Sequence, residues 1–421
     1  MSTAATNSTW RDDLLGELDP EGLGFSPPRL ARIDAWLDGY VKRGLFEGMS
    51  LVVLRNGRLA YRGAAGLSDP DTDRPMDLDT ICRIYSMTKP VTGVAMMILL
   101  ERGHYLLDDP IAEALPEFAE PRVLDGNRSR PARGPVTFRH LLTHTAGLSY
   151  GFLDSDPVAR RMVEQKLDGV PGQVRADSLE DWCRKLAKLP LAFEPGSRWH
   201  YSVAMDVLGR LVEVLDGRSF PKFLLEEIFD PLQMHDTSFF VPETKRDRFA
   251  RCFSLNEAGE RIAIERKYSP FHEPPAVPLG GGGLTSTIPD YLRFTEMLRR
   301  GGELDGTRVL APATVALMTA DHLASMNLDP EHRTAPLSTL PSMDTFRGEG
   351  FGLTGMVSVD PVGSGILGPP GQFAWGGAAS TSFWIDRVNG LSVVQFAQLL
   401  PSSAYPLRPQ ARNLVYQALI D

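Results

Sequence analysis

The sequence predicts an α/β protein of the α+β type, in which an antiparallel β-sheet is flanked by helices and carries an inserted all-α subdomain. Two β-type segments, at 49–66 and 381–400, each contain an Asn-Gly dipeptide, at 56–57 and 389–390, which favours a two-residue hairpin turn. Mostly helical patterns lie between them, separated by loops rich in proline and glycine. This order of strands, helices, strands and a last helix is typical of a sheet covered by helices.

The remaining elements follow in chain order. The segment at 86–102 is apolar on nearly all sides, which predicts a buried helix, and Gly103 is suited to end it. A glycine run at 280–283 precedes a further helix at 290–302, and a β-type segment at 351–359 follows. The other predicted helices lie at 137–144, 179–189, 205–215, 220–229 and 407–420.

The length of the chain indicates more than one domain. Its 421 residues exceed the about 100–200 that are typical of a single domain. We predict an N-terminal extension at 1–24, an α/β domain formed by 25–115 and 275–421, and a helical domain at 116–274 between the two parts.

Composition restricts the partners and the compartment. The formal net charge is −9 and no run of lysine and arginine stands out, which disfavours nucleic acid and membrane surfaces and favours a small-molecule substrate. Cys82, Cys183 and Cys252 are far apart and lack CxxC spacing, which disfavours a disulfide scaffold or a zinc site. The N-terminus carries acids where an export signal needs a basic start. We therefore expect a cytoplasmic protein without a cofactor or metal, and the oligomeric state stays open.

The segment RIYSMTKP, at 83–90, contains a candidate nucleophile with its base. Ser86 and Lys89 are three residues apart at the start of the predicted buried helix, so their side chains share one face. A serine hydroxyl needs a nearby base, and a lysine amine can serve when burial and the helix N-terminus lower its pKa. The second Ser-x-x-Lys, from Ser219 to Lys222, is better explained by an N-cap serine and an exposed lysine.

Two further segments could complete such a site. Tyr201 lies in a loop rich in proline and glycine just before a predicted helix, where a phenol could carry a proton between serine, leaving group and water. The segment from Trp375 to Ala378 opens a predicted strand with Gly376 and Gly377, whose missing side chains would let a substrate approach backbone N–H groups. Taken singly, a packing tyrosine and a β-bulge explain these residues better.

Together these segments resemble the serine β-lactamase/penicillin-binding protein superfamily, in its class C-like branch, and most of all the family VIII carboxylesterases. The resemblance runs from about Phe25 to Leu400 and implies a β-lactamase/transpeptidase-like fold. Its marks are SMTK at 86–89, TFRHLLTHTAGL at 137–148, PGSRWHYS at 195–202, PLGGGGLTSTIPDYLRF at 278–294 and WGG at 375–377.

The resemblance also implies roles for the residues at these positions. Ser86 matches the acylated nucleophile, Lys89 its base partner and Tyr201 the acid/base tyrosine. The N–H groups of Ser86 and Ala378 would hold the oxyanion of the reaction, next to a substrate-binding segment. That segment consists of Trp375, Gly376 and Gly377.

Two departures from the family pattern bear on the substrate. The usual Tyr-x-Asn is here Tyr201-Ser202-Val203, which removes an amide that would hydrogen-bond the side chain of a β-lactam. Trp375 replaces the usual lysine or histidine, so we expect an apolar wall instead of a cation for a substrate carboxylate. We also expect Lys89 to be the main positive charge near Tyr201, and to depress the pKa of that phenol.

The resemblance implies a serine hydrolase that cleaves short-chain, uncharged carboxylic esters through an acyl-enzyme on Ser86. The alternatives within the superfamily are β-lactam hydrolysis, D-Ala peptidase action and acyl transfer to an alcohol. From another class, the protein could be a non-catalytic sensor that is acylated without turnover. The aromatic residues that could line its pocket are Tyr150, Phe152, Trp199, Phe271, Phe373 and Trp384.

Three other features of the sequence are candidates for a catalytic or metal site. The segment 147–151 matches the G-x-S-x-G nucleophile elbow around Ser149, but it follows a predicted helix and enters a loop, whereas an elbow needs a strand before it and a helix after it. His140 and His144 have a spacing that could bind a metal, yet no carboxylate ligand is evident, so polar packing is favoured. Cys82, near Ser86, is expected to be a buried packing residue.

Overall fold

A computed structural model describes residues 16–153, 157–264, 269–326, 328 and 348–421. Residues 1–15 of the predicted extension at 1–24 therefore lie outside the described residues. The proposed boundaries of the α/β and helical domains stay a prediction.

An eight-stranded sheet in which neighbouring strands run antiparallel forms the centre of the fold. Its strands are β1 (Gly48–Arg55), β2 (Arg58–Asp69), β3 (Arg74–Pro75), β4 (Glu349–Phe351), β5 (Met356–Ser358), β6 (Phe373–Gly376), β7 (Ser382–Asp386) and β8 (Leu391–Ala397). Their spatial order is β4-β5-β6-β7-β8-β1-β2-β3, so strands from the two ends of the sequence meet where β1 pairs with β8. The two hairpins predicted from Asn-Gly turns, β1–β2 and β7–β8, are both present.

Helices lie on both sides of this sheet. In the described ranges the α-helices are α1 (Pro27–Lys42), α2 (Thr88–Glu101), α3 (Phe138–Leu142), α4 (Pro157–Gln165), α5 (Leu179–Leu186), α6 (Ala204–Asp216), α7 (Phe220–Leu224, continued by one π-helical turn), α8 (Ile288–Arg299), α9 (Pro312–Met318), α10 (Pro361–Ser364) and α11 (Leu407–Tyr416). Those predicted from sequence patterns are confirmed in position, whereas α1, α4, α9 and α10 were not predicted.

Both faces of the sheet are buried, and alternate residues of β1 show this directly. Leu51 and Val53 pack with α1 and α11 in one apolar core, whereas Val52 and Leu54 belong to a larger core on the opposite face. Alternation of side chains along a strand produces this division. The larger core contains α2 and connects the sheet to the helical region that provides Tyr201.

Helix α2 runs through the larger core, as its apolar sequence predicts. Every residue from Thr88 to Leu99 is buried, including the side chain of Lys89. Within the described parts of the chain, no helix has both the length and the apolar character required to cross a membrane.

The helical region also contains short strands that the sequence patterns did not predict. Arg122–Asp125 pairs with Arg128–Pro131, and Phe253–Leu255 pairs with Arg261–Ala263. Segments of three or four residues are too short to display the alternation by which strands are recognised.

Candidate active site

Ser86 lies at the entrance to α2. A 3₁₀ turn, Tyr85–Met87, leads directly into the helix, and Tyr85 adopts a positive φ of 41° that few non-glycine residues adopt. The preceding strand, Cys82–Arg83, pairs with Thr285–Ser286 and holds this turn next to the glycine run. The Ser86 side chain consequently faces a large cavity at the N-terminus of α2.

Lys89 is one helical turn further on and meets the serine as the three-residue spacing predicts. Its Nζ lies 3.1 Å from Ser86 Oγ, 3.0 Å from the Tyr150 hydroxyl and 2.6 Å from the carbonyl oxygen of Gly281. The amine is fully buried, and burial lowers the pKa of Lys89 to about 7, although the charge of Asp206 opposes this shift. Burial therefore favours the neutral form of the amine.

The phenol of Tyr201 completes the arrangement. Its hydroxyl donates a hydrogen bond of 2.6 Å to Ser86 Oγ, and Lys89 Nζ lies 4.5 Å from the centre of its ring. The ring is fixed by neighbouring aromatic groups, with His144 at 4.9 Å and Trp375 at 5.8 Å between ring centroids. The structure thus brings together the three residues that the sequence singled out.

The expected depression of the tyrosine pKa is wrong. Burial raises the pKa of Tyr201 above 10, against the opposing effects of the Ser86 hydrogen bond and of the Arg408 charge. Removal of the phenol from water outweighs these nearby groups. The phenol of Tyr201 therefore keeps its proton near pH 7, and Arg408 is a cation that opposes the effect of burial on its pKa.

The WGG segment forms one wall of the cavity, as predicted. Gly377 needs to be glycine, since a Cβ atom would overlap the backbone carbonyl of Ile84, whereas at Gly376 a Cβ atom would displace the Arg408 guanidinium. Among the described residues, the Ala378 N–H has no hydrogen-bond acceptor within the protein. Ala378 and Ser86 line the same cavity, so an oxyanion could lie between their N–H groups.

The cavity has a volume of about 660 Å³. Of the aromatic residues considered from the sequence, Tyr150, Phe152 and Phe271 line it. Trp199, Phe373 and Trp384 are instead packed in the cores, where Trp199 stacks on Tyr201. The other apolar residues that line the cavity include Tyr85, Val170, Pro171, Leu255, Ile264, Leu400 and Pro401.

Arg408, from α11, provides a cation beside the WGG segment, where the sequence predicts an apolar wall instead of a cation. It lines the cavity and donates a hydrogen bond of 3.0 Å to the carbonyl oxygen of Gly377. Burial lowers the pKa of Arg408 to about 10, so the guanidinium still carries its charge at neutral pH. Nothing in the local sequence connects this residue with the WGG segment, because 31 positions separate it from Gly377.

Two groups at Lys89 were missed by sequence reasoning. Tyr150 was considered only as a pocket aromatic, yet its hydroxyl contacts Lys89 directly. Asp206, in the first turn of α6, is fully buried and accepts the Gly281 N–H at 2.7 Å. The available signal was a lone carboxylate within the otherwise apolar stretch that follows Tyr201.

The alternative sites have other structural explanations. His140 caps α3 through Thr137, and His144 contacts Ser202 Oγ at 3.1 Å. No cluster of three or more potential metal ligands occurs in the described ranges. Cys82 is buried, and burial raises the pKa of its thiol. Ser219 occupies the N-cap position of α7 as predicted, although its side chain makes no capping bond, and Lys222 is largely exposed.

Ser149 has a histidine neighbour but not a catalytic environment. Its Oγ lies 3.1 Å from His200 Nε2, and both residues are buried outside the cavity that contains Ser86. We expect Ser149→Ala to keep kcat/KM within about threefold of wild type, because the change removes one internal hydrogen bond outside the cavity that contains Ser86. Steady-state kinetics on Ser149→Ala and Ser86→Ala checks this expectation. A loss of about 100-fold or more in kcat/KM for Ser149→Ala would indicate that Ser149 is the nucleophile of a G-x-S-x-G elbow.

Comparisons with known proteins identify relatives of this chain. Residues 33–417 match the beta-lactamase family. Protein Rv1367c of Mycobacterium tuberculosis is 37% identical over 366 residues, which cover 85% of this chain and 87% of that protein. Esterase EstB of Burkholderia gladioli is 34% identical over 420 residues, covering 95% and 98%. The solved structure of EstCE1, described as a hydrolase with promiscuous acyltransferase activity, superposes with a TM-score of 0.76 at 28% identity and covers 92% of this chain and 99% of that one.

Proposed function

The chain belongs to the beta-lactamase family, and from this membership and the geometry at Ser86 we propose that it is a carboxylesterase that cleaves short-chain, uncharged esters through an acyl-enzyme. The observation that carries the proposal is the placement of Ser86 Oγ between a buried amine and a buried phenol, at 3.1 Å and 2.6 Å. The similarity to EstB supports ester cleavage.

Acylation begins with the neutral form of Lys89. Such an amine has two N–H groups, which the oxygens of Gly281 and Tyr150 accept, and its lone pair is left for the Ser86 proton. As Ser86 Oγ bonds to the ester carbon, the carbonyl electron pair moves to oxygen, and the N–H groups of Ser86 and Ala378 stabilise the resulting oxyanion.

Collapse of this intermediate breaks the bond to the alcohol. The leaving alkoxide takes a proton from the neutral phenol of Tyr201, which regains one from the Lys89 ammonium. Deacylation reverses these roles: water loses a proton to the Tyr201–Lys89 pair as it attacks the acyl carbon, and Ser86 recovers its proton on leaving.

The preference for uncharged esters rests on the apolar walls of the cavity, and Arg408 provides its sharpest test. We expect kcat/KM for p-nitrophenyl butyrate to exceed that for the p-nitrophenyl half-ester of succinate, in which a carboxylate replaces the end of the acyl chain. A higher value for the half-ester would show that Arg408 recruits anionic substrates and would overturn this part of the proposal. A series from acetate to octanoate tests the preference for short chains in the same assay.

Nitrocefin and an added alcohol distinguish the remaining alternatives. Val203 provides no side-chain amide for a β-lactam, so we expect nitrocefin turnover to be far slower than ester turnover. An alcohol that yields a new ester would identify acyl transfer, the activity included in the description of EstCE1. An initial burst without further turnover would identify a sensor instead of an enzyme.

A further inference from the structure

Asp206 is a buried carboxylate for which the mechanism above has no use. It is completely excluded from solvent, and its Oδ2 has no hydrogen-bond partner among the described residues. An unpaired buried carboxylate is costly, so its retention needs a compensating charge or a function. Burial raises the pKa of Asp206 to about 7, and the charge of Lys89 opposes this shift. Lys89 is therefore the candidate for the compensating charge.

A single residue, Gly281, connects the two side chains. Asp206 Oδ1 accepts the Gly281 N–H at 2.7 Å, and the carbonyl oxygen of Gly281 accepts Lys89 Nζ at 2.6 Å. A Cβ atom at Gly281 would lie 2.5 Å from the Tyr150 hydroxyl and 2.9 Å from Asp206 Oδ2, so a side chain there would displace one of these groups. The carboxylate thereby holds the residue whose carbonyl oxygen orients the amine toward Ser86.

We propose that Asp206 is a positioning residue that holds the backbone of Gly281 against Lys89. As the counter-charge of the Lys89 amine, it also controls how many protons the Asp206–Lys89 pair holds. The inference rests on the proposed function, since Lys89 must act as the base for the proton count to matter. When Asp206 is ionised it favours the ammonium form of Lys89, and when it takes up the proton it leaves the amine neutral and ready to accept the proton of Ser86.

The other titratable groups that interact with either charge do not ionise near neutral pH. Burial raises the pKa values of Tyr150, Tyr201 and Cys183 and lowers that of His144. The two phenols and the thiol are therefore neutral, as is the imidazole. Asp206 and Lys89 are left as the pair that exchanges charge at this site.

The test is the pH profile of kcat/KM in Asp206→Asn. The amide oxygen can still accept the Gly281 N–H, but the negative charge that favours the Lys89 ammonium is lost. We expect the acid limb of the profile to move to lower pH by about one unit or more, because the amine stays neutral in more acidic solution. The matched control is Asp290→Asn, a buried carboxylate in α8 that bonds to Asp236 and Thr237, and its acid limb should not move.

An acid limb that stays at the wild-type pH in active Asp206→Asn would overturn the proposal while leaving ester hydrolysis intact. Failure of ester turnover in the wild type would instead refute the proposed function. The two failures are therefore distinguishable.

A second measurement tests the pairing without the single variant Asp206→Asn. In Lys89→Met, Asp206 is a lone buried carboxyl that binds its proton more tightly in the folded than in the unfolded chain, so stability falls as pH rises between those two pKa values. We expect the Tm of Lys89→Met to fall more steeply between about pH 6 and about pH 8 than that of wild type. Adding Asp206→Asn should remove the extra fall, and a double variant as pH-sensitive as Lys89→Met would contradict the pairing.

Discussion

Lys89→Met is expected to lower kcat/KM for p-nitrophenyl butyrate by about 10³–10⁴-fold, because the Ser86 hydroxyl loses the base that takes its proton. Methionine fills the same buried space without an amine, so the fold around α2 should persist. Lys89→Arg should be similarly inactive, since a guanidinium keeps its proton and cannot accept another. Stopped assays with high enzyme concentration measure the residual rate, which the oxyanion N–H groups alone would support.

The matched control uses the other Ser-x-x-Lys of the chain. Lys222 is largely exposed, and Lys222→Met should leave kcat/KM unchanged. In the wild type, burial places the pKa of Lys89 at about 7, so kcat/KM should fall as pH drops below that value and the amine becomes charged. Activity that persists in Lys89→Met, or an acid limb unrelated to Lys89, would refute the assignment of the base.

Tyr201→Phe is expected to lower kcat/KM by about 10²–10⁴-fold while keeping the ring that packs on Trp199 and His144. The size of the loss should depend on the leaving group. An alkyl ester needs a proton on its departing alkoxide, whereas p-nitrophenolate leaves readily without one, so ethyl butyrate should lose more rate than p-nitrophenyl butyrate.

Tyr105→Phe provides the control for this leaving-group effect. Tyr105 is a buried tyrosine that bonds to the Met96 carbonyl and stacks on Phe138, outside the cavity. Its loss should alter stability but not the ratio between the two esters. Equal losses for both esters in Tyr201→Phe would mean that the phenol positions Ser86 and does not protonate the alcohol.

Local rules predicted the part of the site that lies within one turn of helix. The i, i+3 spacing of Ser86 and Lys89 sufficed because the 3₁₀ turn that contains Ser86 continues directly into α2, and the apolar composition of that helix sufficed to predict a buried amine. Both Asn-Gly hairpins were likewise predicted from their turns, since turn chemistry is a local property.

The rest depended on how distant segments pack. Asp206 reaches Lys89 through Gly281, and Arg408 reaches the WGG segment from the last helix, contacts that no local pattern encodes. The error about the Tyr201 pKa has a related cause. Its sign depends on burial against nearby charge, and the degree of burial follows only from the assembled core.

Ser86 is proposed to carry the acyl group of the covalent intermediate, and labelling with a fluorophosphonate ester reports on this residue directly. Intact mass and peptide mapping should find one adduct, on Ser86, in the wild type and none in Ser86→Ala, with Ser149→Ala labelled like the wild type. An adduct on another residue, or ester turnover that survives in unlabelled Ser86→Ala, would contradict the account.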